Sequence, residues 1–443
     1  MKNKWLIKGL ALCITVSLCL VGCGQQSNSG GGQEDNLQTE GNGEAVDTLD
    51  SEAVTGGEGT DASREDVPEE TVEPIFLETD YLTDEMYERA IQFLEGDLTR
   101  LAKAMRKAQA GEPVTIGVIG GSITEKYSAS TYDKCYASYV QKWWEERFPD
   151  AEITFINAGI GGTSSYLGVH RADEDLLYAK PDVVVVEFSV NDGNDNFFKK
   201  SYDNLVRKIM FEEQEPAVML LFTTQENGTN AQANDSLIGF KYQLPMLSYG
   251  NAVLPSIEAG EFTWKDISPD NVHPNDRGHA IIGEIYYRYM NDVYARLDEI
   301  SEEVTPFTAD AVTKEVYLEA TLLDSDDIEP VSMGSFEEKA VNWYLPNNWY
   351  TETGDEPIVF EVEAANIGIA YQRTTDGTYG QYEVYIDGEY AYTLDGNFKN
   401  GWGSTLQPDE VYVSDEPAVH TIEIRKKEGS TGEKFAIVAL LIS

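Results

Sequence analysis

The fold of this 443-residue chain is decided by the stretch Val118-Ile119-Gly120-Gly121-Ser122-Ile123-Thr124. In it an apolar strand runs into two glycines, which permit a sharp turn and leave the next hydroxyl group unobstructed. About one domain-length later comes Asp270-Asn271-Val272-His273-Pro274. A serine on such a turn and a late Asp-x-x-His can supply a nucleophile, a base and a group that orients the base. We therefore predict a serine hydrolase with Ser122, His273 and Asp270 as catalytic residues.

Around these two stretches, apolar strand patterns alternate with helical patterns. Strands are predicted at residues 114–118, 153–156, 183–188 and 217–222. The last two are apolar throughout, as is typical of strands covered on both faces of a parallel sheet. A final amphipathic helix follows His273. With right-handed crossovers, this order predicts an α/β fold, a three-layer α/β/α domain with a parallel sheet over residues 76–302.

From residue 305 to 443 the pattern changes to short strands separated by turn residues. The clearest signal is Asp387-Gly388 between two alternating segments, which predicts a β-hairpin. We expect an all-β sandwich here, with carbohydrate binding as one role for it. Its tryptophans Trp343, Trp349 and Trp402 would either stack on sugar rings or lie in the core, and the sequence leaves both open.

The N-terminus predicts the location of the protein. Lysines precede a short apolar run that ends at Leu20-Val21-Gly22-Cys23, a pattern typical of a bacterial lipoprotein. The run is short for a membrane span, which needs roughly 20 residues. We therefore expect residues 1–22 to be a signal peptide, Cys23 to carry lipid, and the protein to be an extracytoplasmic lipoprotein anchored to the cell membrane.

The composition excludes several classes of partner and cofactor. Residues 23–75 are rich in Gly, Ser, Thr, Asp and Glu, which predicts a disordered acidic tether. The net charge of −46 argues against binding nucleic acid or an anionic membrane surface. With the other cysteines in the signal peptide or lipidated, Cys135 has no disulfide partner. No cofactor is expected, and too few Cys and His remain for a transition-metal cluster. The acidic loop at residues 191–195 does not complete a calcium-binding template, so calcium stays a minor alternative.

Two further blocks complete the pattern, Asn157-Ala158-Gly159-Ile160-Gly161-Gly162-Thr163 and Val186-Glu187-Phe188-Ser189-Val190-Asn191-Asp192. The four blocks in this order resemble the SGNH, or GDSL-type, hydrolase superfamily. The resemblance implies an oxyanion hole formed by the backbone N–H groups of Ser122 and Gly162 and the side-chain amide of Asn191. Gly-Gly-Ser stands where many members have Gly-Asp-Ser. Because the replaced aspartate is not catalytic, the chemistry is expected to be intact.

Within the superfamily, the blocks are similar to those of clostridial carbohydrate esterases, in particular the acetyl-mannan esterase group. That similarity implies removal of O-acetyl groups from a polysaccharide or oligosaccharide through an acetyl-Ser122 intermediate. One alternative is a lipase, thioesterase or arylesterase, although polar residues after the nucleophile, such as Tyr127 and Ser128, favour a polar entrance. Another is a glycan-binding lipoprotein with secondary hydrolase activity.

The remaining histidines are predicted to be a helix-start residue (His279), a surface or substrate-side residue (His170) and part of the β domain (His420). The oligomeric state is left open.

Overall fold

The computed structural model describes residues 73–91 and 95–443, which belong to one compact unit. The predicted signal peptide, the predicted lipidation site Cys23 and nearly all of the predicted tether lie outside the described residues. Over the described ranges, every helix is too short or too polar to cross a membrane.

The α-helices occupy the first two-thirds of the described chain. They are α1 (Asp84–Ala90), α2 (Thr99–Gln109), α3 (Ser122–Glu125), α4 (Tyr136–Arg147), α5 (Ser165–Asp175), α6 (Asn196–Met210), α7 (Gln232–Tyr242), α8 (Tyr249–Glu258), α9 (Trp264–Ile267) and α10 (Asp276–Ala295).

Interleaved with these helices is a five-stranded sheet in which every pair is parallel. Its strands are β1 (Val114–Gly120), β2 (Ile153–Gly159), β3 (Val183–Glu187), β4 (Ala217–Phe222) and β5 (Met246–Ser248). Their spatial order is β2-β1-β3-β4-β5. The predicted three-layer α/β/α architecture is confirmed. β5 was not predicted, because three residues are too few to produce a recognisable pattern.

Apolar side chains cover both faces of this sheet. One cluster packs α2, α4, α8 and α10 against it, and includes Trp143 and Trp144, which have no exposed surface. The other packs α5 and α6 against the opposite face. Burial on both faces is the reason that β3 and β4 are apolar throughout. The carboxyl ends of the strands meet at one edge, where their loops form the candidate site.

The remaining strands form a single antiparallel sheet. They are β6 (Thr321–Leu323), β7 (Glu337–Glu338), β8 (Trp349–Thr351), β9 (Ile358–Arg373), β10 (Gln381–Ile386), β11 (Glu389–Asp395), β12 (Thr405–Lys426) and β13 (Phe435–Ile442). Their order is β11-β10-β12-β9-β13-β8-β7, with β6 also paired to β13. Asp387 and Gly388 both have positive φ, as a tight hairpin turn between β10 and β11 requires. The predicted all-β C-terminal domain is confirmed.

The two parts of the described chain share an apolar core. Tyr166 and Leu167 of α5 belong to the same buried cluster as Tyr317, Val438 and Leu441 from the C-terminal part. The contact is close, since a Cβ added to Gly368 would lie 2.2 Å from the Tyr166 hydroxyl. The predicted limits at residues 302 and 305 stay a prediction, but the β part is docked on the α/β part through this core.

Candidate active site

Ser122 lies where β1 turns into the short helix α3, and its side chain is buried. No side chain would fit at either of the two preceding glycines. A Cβ added to Gly120 would lie 2.1 Å from Thr124 Oγ1, and one added to Gly121 would lie 2.2 Å from Asn191 Oδ1. Real Cβ atoms do not approach so closely. Asn191 therefore occupies the space that an aspartate at position 121 would need.

His273 and Asp270 complete a chain of hydrogen bonds that begins at Ser122. Ser122 Oγ lies 3.0 Å from His273 Nε2, and His273 Nδ1 lies 2.8 Å from Asp270 Oδ2. Because a carboxylate can only accept, Nδ1 carries the proton and Nε2 presents its lone pair to the serine hydroxyl. The structure thus brings together all three predicted catalytic side chains in an order suited to proton transfer.

The loop that carries Asp270 is braced by its own hydrogen bonds. Asp270 Oδ1 accepts the backbone N–H groups of Val272 and His273, each at 2.8 Å. Its backbone oxygen accepts Trp264 Nε1–H at 2.6 Å and lies 2.7 Å from the Ser268 hydroxyl. Burial alone would raise the pKa of Asp270, but the hydrogen bonds from the His273 side chain and from the two backbone groups lower it to about 2. The carboxylate is therefore charged across the neutral range.

The helix behind this loop is capped immediately after the histidine. The side chain of Asn275 accepts the backbone N–H groups of Arg277 and Gly278 at 2.9 and 3.1 Å, and α10 begins at Asp276. An asparagine cap satisfies helix N–H groups that have no partner within the helix. The cap fixes where α10 starts and hence the approach of His273 to the site.

The three predicted oxyanion donors have no protein acceptor within the described residues. Gly161 N–H is already used, because it donates to Glu125 Oε2 at 2.8 Å. Gly162 has φ +72°, a conformation that favours glycine, and its N–H remains available. The Asn191 side-chain N–H group and the Ser122 backbone N–H are likewise available, with Asn191 directly beside Gly121. The geometry favours Gly162 over Gly161, but the donor roles stay a prediction.

Two buried carboxyl groups beneath the site were not predicted. Glu187 ends β3 and accepts the hydroxyls of Thr124 and Thr223 at 3.0 and 2.6 Å, and burial raises its pKa. Asp192 accepts Ser165 N–H at 2.9 Å, and burial raises its pKa to about 7. These groups tie α3, α5 and β4 to the turn after β3. Both residues stand in a single sequence block, residues 186–192, but their hydrogen-bond partners could not be read from it.

The other histidines lie in different surroundings. His170 is fully buried against Tyr166 and Tyr317, so the interpretation as a surface or substrate-side residue is wrong. The C-terminal part covers it, which α5 alone does not reveal. His279 lies in the first turn of α10, as predicted. His420 lies in β12 and bonds to Asp387 at 2.7 Å.

The C-terminal part reaches the predicted oxyanion loop. A Cβ added to Gly162 would lie 3.3 Å from Thr405 Oγ1, at the first residue of β12. Three residues before it lies Trp402, 79% exposed. Trp343 is 75% exposed and follows Asn342, whose amide donates to Gln372, which in turn donates to the Thr405 carbonyl. Two exposed tryptophans thus lie on loops connected to the wall of the site.

The third tryptophan and the cysteine belong to the core. Trp349 has no exposed surface and packs against Phe360. Cys135 is also buried, and its pKa is raised by burial, so it lacks the environment of a reactive thiol. Over residues 73–91 and 95–443, His, Cys, Asp and Glu side chains form no group that could hold a metal ion.

Comparison with known proteins agrees with this architecture. Residues 118–281 match the model of the GDSL-like lipase/acylhydrolase family. A two-domain esterase (CEX) active on acetylated mannans, solved together with mannopentaose, shares 34% sequence identity. The match covers 81% of this chain and 97% of that one, with a TM-score of 0.74. A second structure of the same esterase gives the same identity, 81% and 98% coverage, and a TM-score of 0.75.

Other matches are more distant. An acetylxylan esterase, Axe2 from Geobacillus stearothermophilus, matches 40% of this chain and 94% of its own at 19% identity and a TM-score of 0.33, too low to carry an argument. No curated protein matches the chain significantly. The chain belongs to the GDSL-like lipase/acylhydrolase family. It is an SGNH-type carboxylic ester hydrolase, and its similarity to the two-domain esterase supports the predicted carbohydrate esterase class.

Proposed function

We propose that this protein removes O-acetyl groups from a mannan-type polysaccharide or oligosaccharide. The observation that carries the proposal is the hydrogen-bond chain from Asp270 through His273 to Ser122. It ends on a serine beside Gly162 and Asn191, whose N–H groups are available to an oxyanion. Acyl transfer needs this combination of nucleophile, base, orienting group and donors.

In the proposed reaction, His273 Nε2 takes the proton of Ser122 as Oγ attacks the acetyl carbonyl carbon. The carbonyl oxygen becomes negative and is stabilised by the three N–H donors. When the tetrahedral intermediate collapses, the ester bond to the sugar breaks, and the sugar oxygen leaves with the proton from His273. Water then attacks acetyl-Ser122, again with His273 as base, which releases acetate and restores the serine.

The exposed tryptophans support a sugar substrate. Trp343 and Trp402 present large aromatic surfaces to solvent on loops connected to the wall beside Gly162. The C–H face of a sugar ring packs well on such a platform. The two-domain esterase with 34% identity was solved with mannopentaose and is active on acetylated mannans, which favours mannan over other glycans.

The largest described cavity volume does not lie beside the candidate nucleophile. A cavity of about 210 Å³ lies at the amino ends of the strands, lined by Arg100, Tyr242 and Phe307 among others, and not beside Ser122. It therefore offers no acyl groove for the nucleophile. Among the described residues, no observation favours a lipase or thioesterase over an esterase that removes a small acyl group.

The proposal extends to location. A lipid on Cys23 would anchor the enzyme to the outer face of the cell membrane, and residues 23–75 would act as an acidic tether. Support for both comes from the residue pattern at the N-terminus. Metabolic labelling of the full chain with a radioactive fatty acid, compared with a Cys23→Ala variant, tests the anchor, and equal labelling of the two would contradict it.

Acetate release tests the enzymatic proposal. The chain without residues 1–22 is incubated with acetylated mannan, xylan, pectin and peptidoglycan, next to Ser122→Ala and the matched control Ser301→Ala, which changes an exposed serine far along the chain. Release from mannan that Ser122→Ala loses and Ser301→Ala keeps is expected. Cleavage of long acyl esters without acetate release from any glycan would overturn the proposal.

A further inference from the structure

Tyr127 lies against the face of the candidate base. Its ring centroid is 4.3 Å from that of His273, with 48° between the two planes. The Tyr127 side chain is 56% exposed, so the ring is not held there by burial in a core. Its backbone N–H donates to the Ser122 carbonyl at 2.9 Å, which ties it to the turn that carries the nucleophile.

The backbone on both sides of Tyr127 is in an unfavourable conformation. Lys126 has φ +110° and Ser128 has φ +66°, and neither is a glycine. Left-handed conformations are unfavourable for residues with a side chain, and they persist only where the surroundings impose them. This segment therefore depends on contact with its surroundings.

His279 supplies that contact. It is fully buried, its Nδ1 accepts Tyr136 N–H at 3.3 Å, and its Nε2 lies 3.2 Å from the Tyr127 carbonyl oxygen. Because Nδ1 accepts, the proton is on Nε2, which donates to Tyr127. Burial lowers the pKa of His279 to about 4, so the ring stays neutral and keeps this tautomer at neutral pH.

We propose that His279 and Tyr127 are positioning residues for the reaction: His279 holds the Tyr127 carbonyl, and the Tyr127 ring holds the imidazole of His273 facing Ser122. The proposal rests on the catalytic role of His273 proposed above. Asp270 fixes His273 through one nitrogen only, and its own side chain is 40% exposed. The Tyr127 ring packs against the imidazole of His273 and restricts the tilting that a single hydrogen bond still permits. The aromatic face also attracts the positive imidazolium that forms during the reaction.

Two substitutions separate the hydrogen bonds of His279. In His279→Gln, an amide N–H can still reach the Tyr127 carbonyl, whereas in His279→Asn the amide oxygen replaces Nδ1 and the donor to Tyr127 is lost. With 4-nitrophenyl acetate as a small substrate, we expect kcat to fall about tenfold or more in His279→Asn and much less in His279→Gln. A purely structural role would lower both activities in proportion to the loss of folded protein, which thermal unfolding measures. Equal kcat values for the two folded variants would overturn the role of His279.

Tyr127 is tested in the same assay, where folding is a smaller concern because the side chain is exposed. Tyr127→Ala should lower kcat about tenfold with little change in KM, and Tyr127→Phe, which keeps the ring, should restore most of the loss. Tyr390→Ala is the matched control, because Tyr390 is also 56% exposed and lies in β11. An unchanged kcat in Tyr127→Ala would overturn the proposal. So would a raised KM with unchanged kcat, which would make Tyr127 a substrate contact.

Ser122→Ala, assayed alongside, separates this proposal from the proposed function. If Ser122→Ala is inactive and Tyr127→Ala behaves as wild type, only the positioning role fails. If Ser122→Ala keeps wild-type activity, the site itself is wrong and both proposals fail.

Discussion

Glu125 Oε2 accepts the backbone N–H of Gly161 at 2.8 Å, so the third residue after the candidate nucleophile holds the loop that carries the candidate oxyanion donor. The contact leaves no room for a side chain, since a Cβ added to Gly161 would lie 2.6 Å from the same oxygen. Burial raises the pKa of Glu125, which the hydrogen bond from Gly161 partly offsets. The nucleophile turn and the oxyanion loop are thereby joined into one structural element.

Removing this carboxyl group should therefore impair catalysis. We expect Glu125→Ala to lower kcat on a small acetyl ester about tenfold to a hundredfold, because the freed loop no longer fixes Gly162 N–H. Glu125→Gln keeps an acceptor and should lose less. Steady-state kinetics give the comparison, with Glu258→Ala, at an exposed position, as control. Wild-type kcat in Glu125→Ala would show that the loop is held by other contacts.

Gly121 and Asn191 should be energetically coupled. A methyl group at position 121 would meet Asn191 Oδ1 at 2.2 Å, so Gly121→Ala should lower the free energy of unfolding by about 1–3 kcal/mol and displace the amide. In an Asn191→Ala background the Asn191 amide is absent, so Gly121→Ala should lower the free energy of unfolding clearly less. Urea unfolding of the four proteins measures this coupling. If the two substitutions change the free energy of unfolding additively, the contact between positions 121 and 191 is not the source of the destabilisation.

Asp270→Asn should leave the fold intact and remove most of the activity. An amide can donate its N–H to His273 Nδ1, which reverses the tautomer and points an N–H at Ser122 instead of a lone pair. We expect kcat to fall roughly a thousandfold or more. The assay is acetate release at neutral pH, with circular dichroism to verify folding. A loss below about tenfold would contradict the orienting role.

The same carboxyl group should stabilise the folded protein at neutral pH and lose this contribution in acid. Its pKa is lowered from 3.8 to about 2 in the folded protein, so its contribution is fully present above about pH 4 and is lost as the pH falls through about 2. Because the side chain is 40% exposed, we expect a contribution on the order of 1 kcal/mol. Urea unfolding of wild type and Asp270→Asn between about pH 5 and pH 2 should give free energies that converge in acid. If the difference in free energy of unfolding between the two proteins stayed constant over this pH range, protonation of Asp270 would not be linked to stability.

The exposed tryptophans should affect the binding of a polymeric substrate and not the chemical step. Trp343→Ala and Trp402→Ala should each raise KM for acetylated mannan several-fold, while kinetics on 4-nitrophenyl acetate stay as in wild type. Phe76→Ala removes another exposed aromatic ring, at the start of the described chain, and serves as control. An unchanged KM for mannan in both tryptophan variants would contradict the proposed stacking of these side chains on sugar rings.

Local pattern was enough to predict much of the hydrolase part. Four of the five parallel strands followed from continuous or alternating apolar runs, and Ser122, His273 and Asp270 followed from their place at strand and helix ends. β5 escaped because three residues carry no periodicity. Trp349 could not be assigned, because a tryptophan in a short strand has the same local sequence whether it is buried or exposed.

The contacts that complete the site were not predictable in the same way. His279 and Tyr127 are 152 positions apart, and their hydrogen bond exists only because the first turn of α10 and the loop after α3 meet at the carboxyl edge of the sheet. His170 is buried only because the C-terminal part packs over α5.

The sequence by itself determined the hydrolase class, the parallel sheet and the identity of the candidate nucleophile, base and orienting acid, because each depends on spacing along a short stretch. The tertiary structure alone decided which N–H groups are free for an oxyanion, which side chains hold His273, and that Thr405 of the β part lies against Gly162. These depend on distances between segments far apart in the chain, which packing sets and no local pattern encodes.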